Sequence, residues 1–232
     1  MIKILLVEDD EACAYTIQGG LELIGDYAVI RAKDGVEGWS LYCTEKPDVV
    51  VSDIEMPFMD GGELLKKIRA DNPSVVVIME SGKTTPKSVV ESLELGADDY
   101  IKKPFIAEEL HAHIQAIFRR LHIRTNENQE DSPATVVRIG KYRFDVHENM
   151  LEIGMQTIKL TDREANILKI LYDRKNTTVP RKEILSSFWK DENDPFHSRS
   201  LDVFISKLRK YLSFDPSVKI VVTRGKGIRL ID

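Results

Sequence analysis

Val49-Val50-Val51-Ser52-Asp53-Ile54-Glu55-Met56-Pro57 decides how the rest of this 232-residue chain is read. A β-branched apolar run ends on an acid and is stopped by a proline. The lack of polar–apolar alternation predicts a strand covered on both faces, as in a parallel sheet. Asp53 then stands at the strand's carboxyl end, the edge where open α/β sheets carry their ligand sites. The flanking sequence repeats the pattern. Strands are predicted at residues 2–7, 27–31, 74–79 and 98–102. Helical spacing, as in Ala14, Ile17, Leu21 and Ile24, predicts helices at 11–24, 35–44, 63–70 and 105–121. Another opens at Thr85-Pro86, an N-cap followed by a first-turn proline, and closes at Gly96. Strand and helix alternate about five times, which predicts a doubly wound, five-stranded parallel sheet with helices on both faces.

Composition bounds the function. No apolar run approaches the ~20 residues needed to cross a bilayer, and Met1-Ile2-Lys3 runs straight into a strand rather than a signal peptide. No membrane partner is expected. Cys13 and Cys43 form neither a disulfide framework nor a metal-ligand spacing, which suits a reducing cytoplasm. The net charge of −5 is unevenly spread. Residues 1–123 hold 13 Lys+Arg against 22 Asp+Glu, and residues 124–232 hold 20 against 16, so −9 stands beside +4. A basic second half points to a polyanionic partner.

In the predicted sheet the polar residues gather at the strand ends. Glu8 and Asp9 follow the first strand, Asp53 ends the third, Ser81 follows the fourth and Lys103 the fifth. Carboxylates brought together repel one another unless a cation lies among them, and hard oxygen donors suit Mg2+. A carboxylate there can act as a nucleophile toward a phosphoryl group, with Lys103 and the Ser81 hydroxyl binding phosphoryl oxygens. Taken alone, Glu8-Asp9-Asp10 also reads as the acid cluster of a helix N-terminus.

The second half reads differently. Residues 122–134 are polar and without periodicity, a flexible tether. Residues 136–160 alternate in short pieces between turn signals, an antiparallel meander. Thr161 with Glu164 makes a capping box for helix 162–173. A helix from Pro180 to Trp189, a polar loop at 191–197 and a helix capped by Ser198 over 199–212 follow. The last carries Leu201, Ile205, Leu208 and Leu212 as its core stripe, with Arg199, Ser200, Phe204, Ser206, Lys207 and Lys210 on its other faces. Strands 219–223 and 228–231 flank the cationic tip Arg224-Gly225-Lys226-Gly227. A cationic helix beside a cationic hairpin suits a nucleic-acid duplex.

Glu8-Asp9, Asp53, Ser81 and the run Gly96-Ala97-Asp98-Asp99-Tyr100-Ile101-Lys102-Lys103-Pro104-Phe105 resemble the receiver domain of two-component response regulators over residues 1–121. The resemblance implies a CheY-like fold in which a sensor histidine kinase phosphorylates Asp53. It implies Mg2+ held by Glu8, Asp9, Asp53 and the backbone carbonyl of Glu55, and a cis bond at Lys103-Pro104. Ser81 and Tyr100 would form the switch, and Lys103 would bind the phosphoryl group. Two residues depart from the family's pattern. Glu80 stands where an apolar residue is usual, and Gly82 where alanine is usual. Glu55 and Lys83 flank the phosphoryl position, either as a pair that hinders water or as two solvated charges.

Leu160-Thr161-Asp162-Arg163-Glu164, Arg181-Lys182-Glu183-Ile184-Leu185, residues 201–210 and the Arg224–Gly227 tip resemble the α+β winged-helix effector domain of the OmpR/PhoB class, over residues 135–232. That implies a recognition helix at 199–212 meeting double-stranded promoter DNA through Arg199, Ser200, Phe204, Lys207 and Lys210. Arg224 and Lys226 of the wing would join them, with Asp202 pairing to Arg209 or Arg224. Loop 191–197 would meet RNA polymerase. Asp98, Asp99, Lys102, Glu109, His113 and Arg120 match the face through which this class forms homodimers. Val89 and His113 replace usual basic residues, and a His113–Asp99 contact there would titrate near neutrality. The chain is expected to be a transcription regulator rather than an enzyme acting on other substrates. The alternative is an atypical regulator that dimerises and binds DNA without phosphorylation.

Overall fold

The structure, a computed structural model, describes residues 1–82, 86–126, 136–189 and 195–232, with the side chains of 86–88, 119–126, 195 and 196 outside that description. Thr85 and Lys83 therefore lie outside the described residues, as do Arg120's side chain, residues 127–134 of the predicted tether and most of loop 191–197. The described chain separates into two units, Met1–Gln115 and Ala116–Asp232.

In the first unit, strands β1 (Ile2–Val7), β2 (Tyr27–Ala32), β3 (Val49–Asp53), β4 (Val76–Ser81) and β5 (Asp99–Lys102) pair in parallel in the order β2-β1-β3-β4-β5. Helices α1 (Glu11–Ile24), α2 (Gly35–Glu45), α3 (Gly61–Asp71) and α4 (Pro86–Glu94) connect the strands, and α5 (Ala107–Asn126) follows the last of them and runs past the unit's end at Gln115. Every residue of β3 and β4 is buried, which is why the run at 49–53 lacks alternation. The doubly wound sheet is the predicted one.

Its boundaries differ from the predicted ones in several places, most by a residue or two, and the larger differences are these. The side chain of Asp60 accepts from Glu63 N at 2.8 Å, so α3 begins at Gly61 rather than Glu63. Ser74 is tied into a turn by Asn72 (2.9 Å), so β4 starts at Val76. That strand does not stop at Met79: Glu80 pairs with Asp53 across the ladder and Ser81 with Lys102. α5 continues to Asn126, five residues past the predicted helix end.

In the second unit, β6 (Val136–Ile139), β7 (Tyr142–Asp145), β8 (Met150–Ile153) and β9 (Gln156–Lys159) form an antiparallel meander. α6 (Asp162–Asp173) begins with the full capping box of Thr161 and Glu164, and α7 (Arg181–Phe188) and α8 (Pro195–Tyr211) follow. β10 (Lys219–Thr223) and β11 (Gly227–Ile231) close the unit as a hairpin. α8 starts at Pro195, not at a Ser198 cap. Proline suits a first helical turn, and the Ser198 hydroxyl and carbonyl instead accept from Arg181, the hydroxyl at 3.2 Å from Nε. At Gly227, with φ +148°, an added Cβ would lie 2.1 Å from the Val179 carbonyl oxygen. The bare backbone lets Val179 and Ile228 exchange hydrogen bonds of 2.8 and 2.9 Å, anchoring the hairpin's base.

Candidate phosphoryl site and nucleic-acid face

Register brings the strand ends of the first unit together. Ser52 lies beside Val7 and Glu80 beside Asp53, while Lys103 N bonds the Ser81 carbonyl at 3.0 Å. The acids after β1 divide their work. Asp10 caps α1, accepting from Ala12 N (2.9 Å) and Cys13 N (3.0 Å). Glu8 is buried at 3% exposure, Asp9 is exposed, and each offers an oxygen that together with one of Asp53 falls within a 4.8 Å cluster. The N-terminal reading of these acids therefore holds for Asp10 alone.

Asp53 is 8% exposed. One oxygen accepts from Glu55 N at 3.2 Å, and the other meets the Lys103 ammonium at 2.5 Å. The same ammonium bonds Glu8 and lies 3.8 Å from Glu80 Oε1. Burial works to lower the Lys103 pKa, but Glu80, Asp53 and Glu8 outweigh it and hold the ammonium above its ordinary value. The Lys103-Pro104 peptide is cis. Ser81 is buried at 2% and Tyr100 at 8%.

Two features of this site were not read from the sequence. Glu80 is fully buried, and among the described residues neither of its oxygens has a hydrogen-bond partner. Burial pushes its carboxyl well above the usual range, with Lys103 opposing and Glu8 adding to the rise. Gly61 packs on Asp53: a Cβ there would lie 2.0 Å from the Asp53 carbonyl oxygen. The Gly61-Gly62 pair after Asp60 was the available signal.

Three carboxylate oxygens with one shared ammonium leave excess negative charge, and all are hard donors. The donor set fits Mg2+.

On the second unit the cationic residues separate into two groups. Arg199, Lys210, Arg224 and Lys226 are exposed. Ser200 and Phe204 are not: they are 4% and 0% exposed. Phe204 lies three residues from Leu201 and four from Leu208, so it belongs to the buried stripe, which is wider than four residues because α8 meets α6, α7 and β10. It cannot touch a thymine methyl from there, and the buried Ser200 cannot reach a base. Lys207 lies 2.5 Å from Glu164 Oε1, inside the unit, with that carboxylate 1% exposed. Glu164 also receives Thr161 N at 3.0 Å. Lys207 thus ties α8 to α6 instead of facing outward. The exposed line of α8 runs through Arg199, Asp202, Ser206 and Lys210, one helical face. Asp202 pairs with Arg181 at 2.8 Å rather than with Arg209 or Arg224.

The predicted dimer-face residues also separate. Asp98 is 2% exposed, accepting from Arg69 (2.7 Å) and Val77 N (2.9 Å), so it is an internal brace. Asp99 is 3% exposed and meets His113 Nδ1 at 2.9 Å within its own chain, not across a dimer. Val89 is 1% exposed and part of the core. Lys102 and Glu109 are exposed, and His113 is half-buried.

Comparison with known proteins agrees with this geometry. The response regulator receiver domain matches residues 4–115, and the C-terminal domain of transcriptional regulatory proteins matches residues 155–230. The chain is 39% identical to transcriptional regulatory protein RprY of Bacteroides fragilis, over 99% of this chain and 94% of that one. It is 34% identical to sensory transduction protein BceR of Bacillus subtilis, over 91% and 88%. It is similar in structure to response regulator DrrB, an OmpR/PhoB homologue of Thermotoga maritima, with 26% identity, TM-score 0.52 and full coverage of both chains. A CheY-like sheet with its acidic edge, followed by a winged-helix unit, is accounted for on every count: the chain belongs to the two-component response regulators of the OmpR/PhoB type, transcription regulators that join a receiver to a DNA-binding domain.

Proposed function

We propose that Asp53 accepts a phosphoryl group from a sensor histidine kinase and that the modification controls promoter binding by the second unit. The carrying observation is the convergence of Asp53, Glu8, Asp9 and Lys103 at one sheet edge, with the acid oxygens within 4.8 Å and the ammonium 2.5 Å from Asp53. Glu8, Asp9, Asp53 and the Glu55 carbonyl would hold Mg2+, which when bound supplies charge neutralisation at the transferring phosphoryl group. Asp53 is the nucleophile. Lys103, already beside it, binds a phosphoryl oxygen and keeps that charge compensated. Ser81, buried beside this edge, and Tyr100 on β5 are the residues through which the change leaves the site.

The domain limits that go with this reading are receiver 1–121, tether 122–134, whose first five residues continue α5, and effector 135–232. On DNA, α8 enters the major groove with Arg199, Ser206 and Lys210 outward, and Arg224 and Lys226 of the hairpin tip grip the adjacent backbone or minor groove. Phosphorylated receivers pair through Lys102, Glu109, His113 and Arg120, placing two effector units on a direct repeat. Residues 191–197 contact RNA polymerase, and the protein works in the cytoplasm. Incubation of the full chain with acetyl phosphate and Mg2+ should add the mass of one phosphoryl group, and Asp53→Asn should prevent it. An unmodified wild-type chain would reject the proposal.

The second reading, DNA binding without phosphate control, draws on Glu80 beside Lys103 and on the His113–Asp99 pair, which keeps Asp99 within its own chain. Equal DNA affinity before and after modification would favour it.

A further inference from the structure

Glu80 is the buried group that the proposed chemistry leaves unused. It stands in β4 directly beside Asp53 in the ladder, with no exposed surface. Among the described residues its two oxygens have no hydrogen-bond donor, and a buried oxygen without one is costly. The cation near it is Lys103, with Nζ 3.8 Å from Oε1, beyond hydrogen-bond reach. Lys103 is held at that distance by its contacts to Asp53 and Glu8. The ammonium is therefore pulled two ways: outward to the acids of the open edge, inward to an acceptor that no donor among the described residues satisfies.

We infer that Glu80 is a positioning residue for Lys103, an internal acceptor that competes with a phosphoryl group for the ammonium and so limits how tightly the site holds that group. The inference rests on the phosphoacceptor reading of Asp53. Its physical content is a balance. When Lys103 moves to phosphoryl oxygens, Glu80 is left farther from the cation nearest it among the described residues, and a carboxyl oxygen stays close to the arriving negative charge. An apolar residue here, the type expected from the family resemblance, exerts neither effect. Glu80 thus weakens the phosphoryl complex without touching it.

The test is a titration of the full-length chain with beryllofluoride at saturating Mg2+, for wild type, E80Q and E80L, with Mg2+ binding measured separately. Loss of one close acceptor for an ammonium corresponds to about a tenfold change. E80L should bind beryllofluoride about tenfold tighter than wild type, with E80Q shifted in the same direction. Mg2+ alone should bind no tighter to either variant. Freeing the ammonium helps an anion and not a cation, whereas mere loosening of the fold weakens both, so the opposed responses mark a positioning role. Beryllofluoride affinity unchanged or weakened in both variants would overturn the inference while leaving Asp53 as phosphoacceptor. A wild-type chain that binds no beryllofluoride, and is not modified by acetyl phosphate, would remove the phosphoacceptor reading and this inference together.

Discussion

At the scale of single residues the site depends on close approach. Gly61 exists because the Asp53 carbonyl occupies the space a side chain would take, 2.0 Å from the position of a Cβ. Gly61→Ala should displace the start of α3 or the end of β3 at a cost of about 1–3 kcal/mol, read as a lower urea midpoint, and should slow modification by acetyl phosphate. A variant with wild-type stability and rate would show that the strand end tolerates movement. The two cysteines offer a second check. Burial, with the charge of Glu8 adding to it, pushes the half-buried Cys13 thiol up to about 12, whereas Cys43 is exposed. Iodoacetamide at mildly alkaline pH should modify Cys43 well before Cys13 by peptide mapping, because the thiolate is the reactive form. Equal rates would contradict the buried acidic setting of Cys13. Asp53, Asp9 and Lys103 were legible because strand ends of a parallel sheet share an edge. Glu80 was not read as a buried strand residue, because an acid after an apolar run looks like the strand's end. Its burial follows from pairing with Asp53 and Ile101 across the sheet, neighbours distant in sequence.

At the scale of elements, α8 shows how one amphipathic helix can be misread along its length. Leu201, Phe204, Ile205, Leu208 and Leu212 are all buried. A four-residue stripe was legible from helical spacing, but the sequence does not say that α8 is packed on more than one side. Lys207 is the instructive case: a lysine in a cationic helix, yet paired with a carboxylate that is 1% exposed. Lys207→Ala should cost about 3 kcal/mol of stability, since Glu164 would keep its burial and lose its cation. Lys210→Ala and Arg224→Ala should leave stability within about 0.5 kcal/mol. Each should weaken DNA binding and lower the salt dependence by about one counterion. Thermal melts beside DNA titrations at several salt concentrations separate the two classes. A Lys207 variant that melts like wild type but binds DNA poorly would return Lys207 to the DNA face. The capping box at Thr161 and Glu164 was fully legible, being a local pattern. Glu164's second task, holding Lys207, was not, because it joins helices 43 residues apart in the chain.

At the scale of the whole molecule, the charge division matches the division of labour. The acidic half carries the cation-hungry edge, and the basic half carries the exposed Arg199, Lys210, Arg224 and Lys226. That division, both folds and the order of domains were legible from alternation, composition and a few motifs. The face predicted for dimerisation was less so, since Asp98 and Asp99 read as surface charges and are buried within the receiver. The central claim is that a change at Asp53 is felt by the DNA-binding unit. Its most direct test is the affinity of the full-length chain for DNA fragments selected from its own genome, measured with and without beryllofluoride and Mg2+, for wild type and Asp53→Asn. Affinity should rise with the mimic for wild type and stay unchanged for Asp53→Asn. A wild-type affinity indifferent to the mimic, in a chain shown to bind it, would contradict the account.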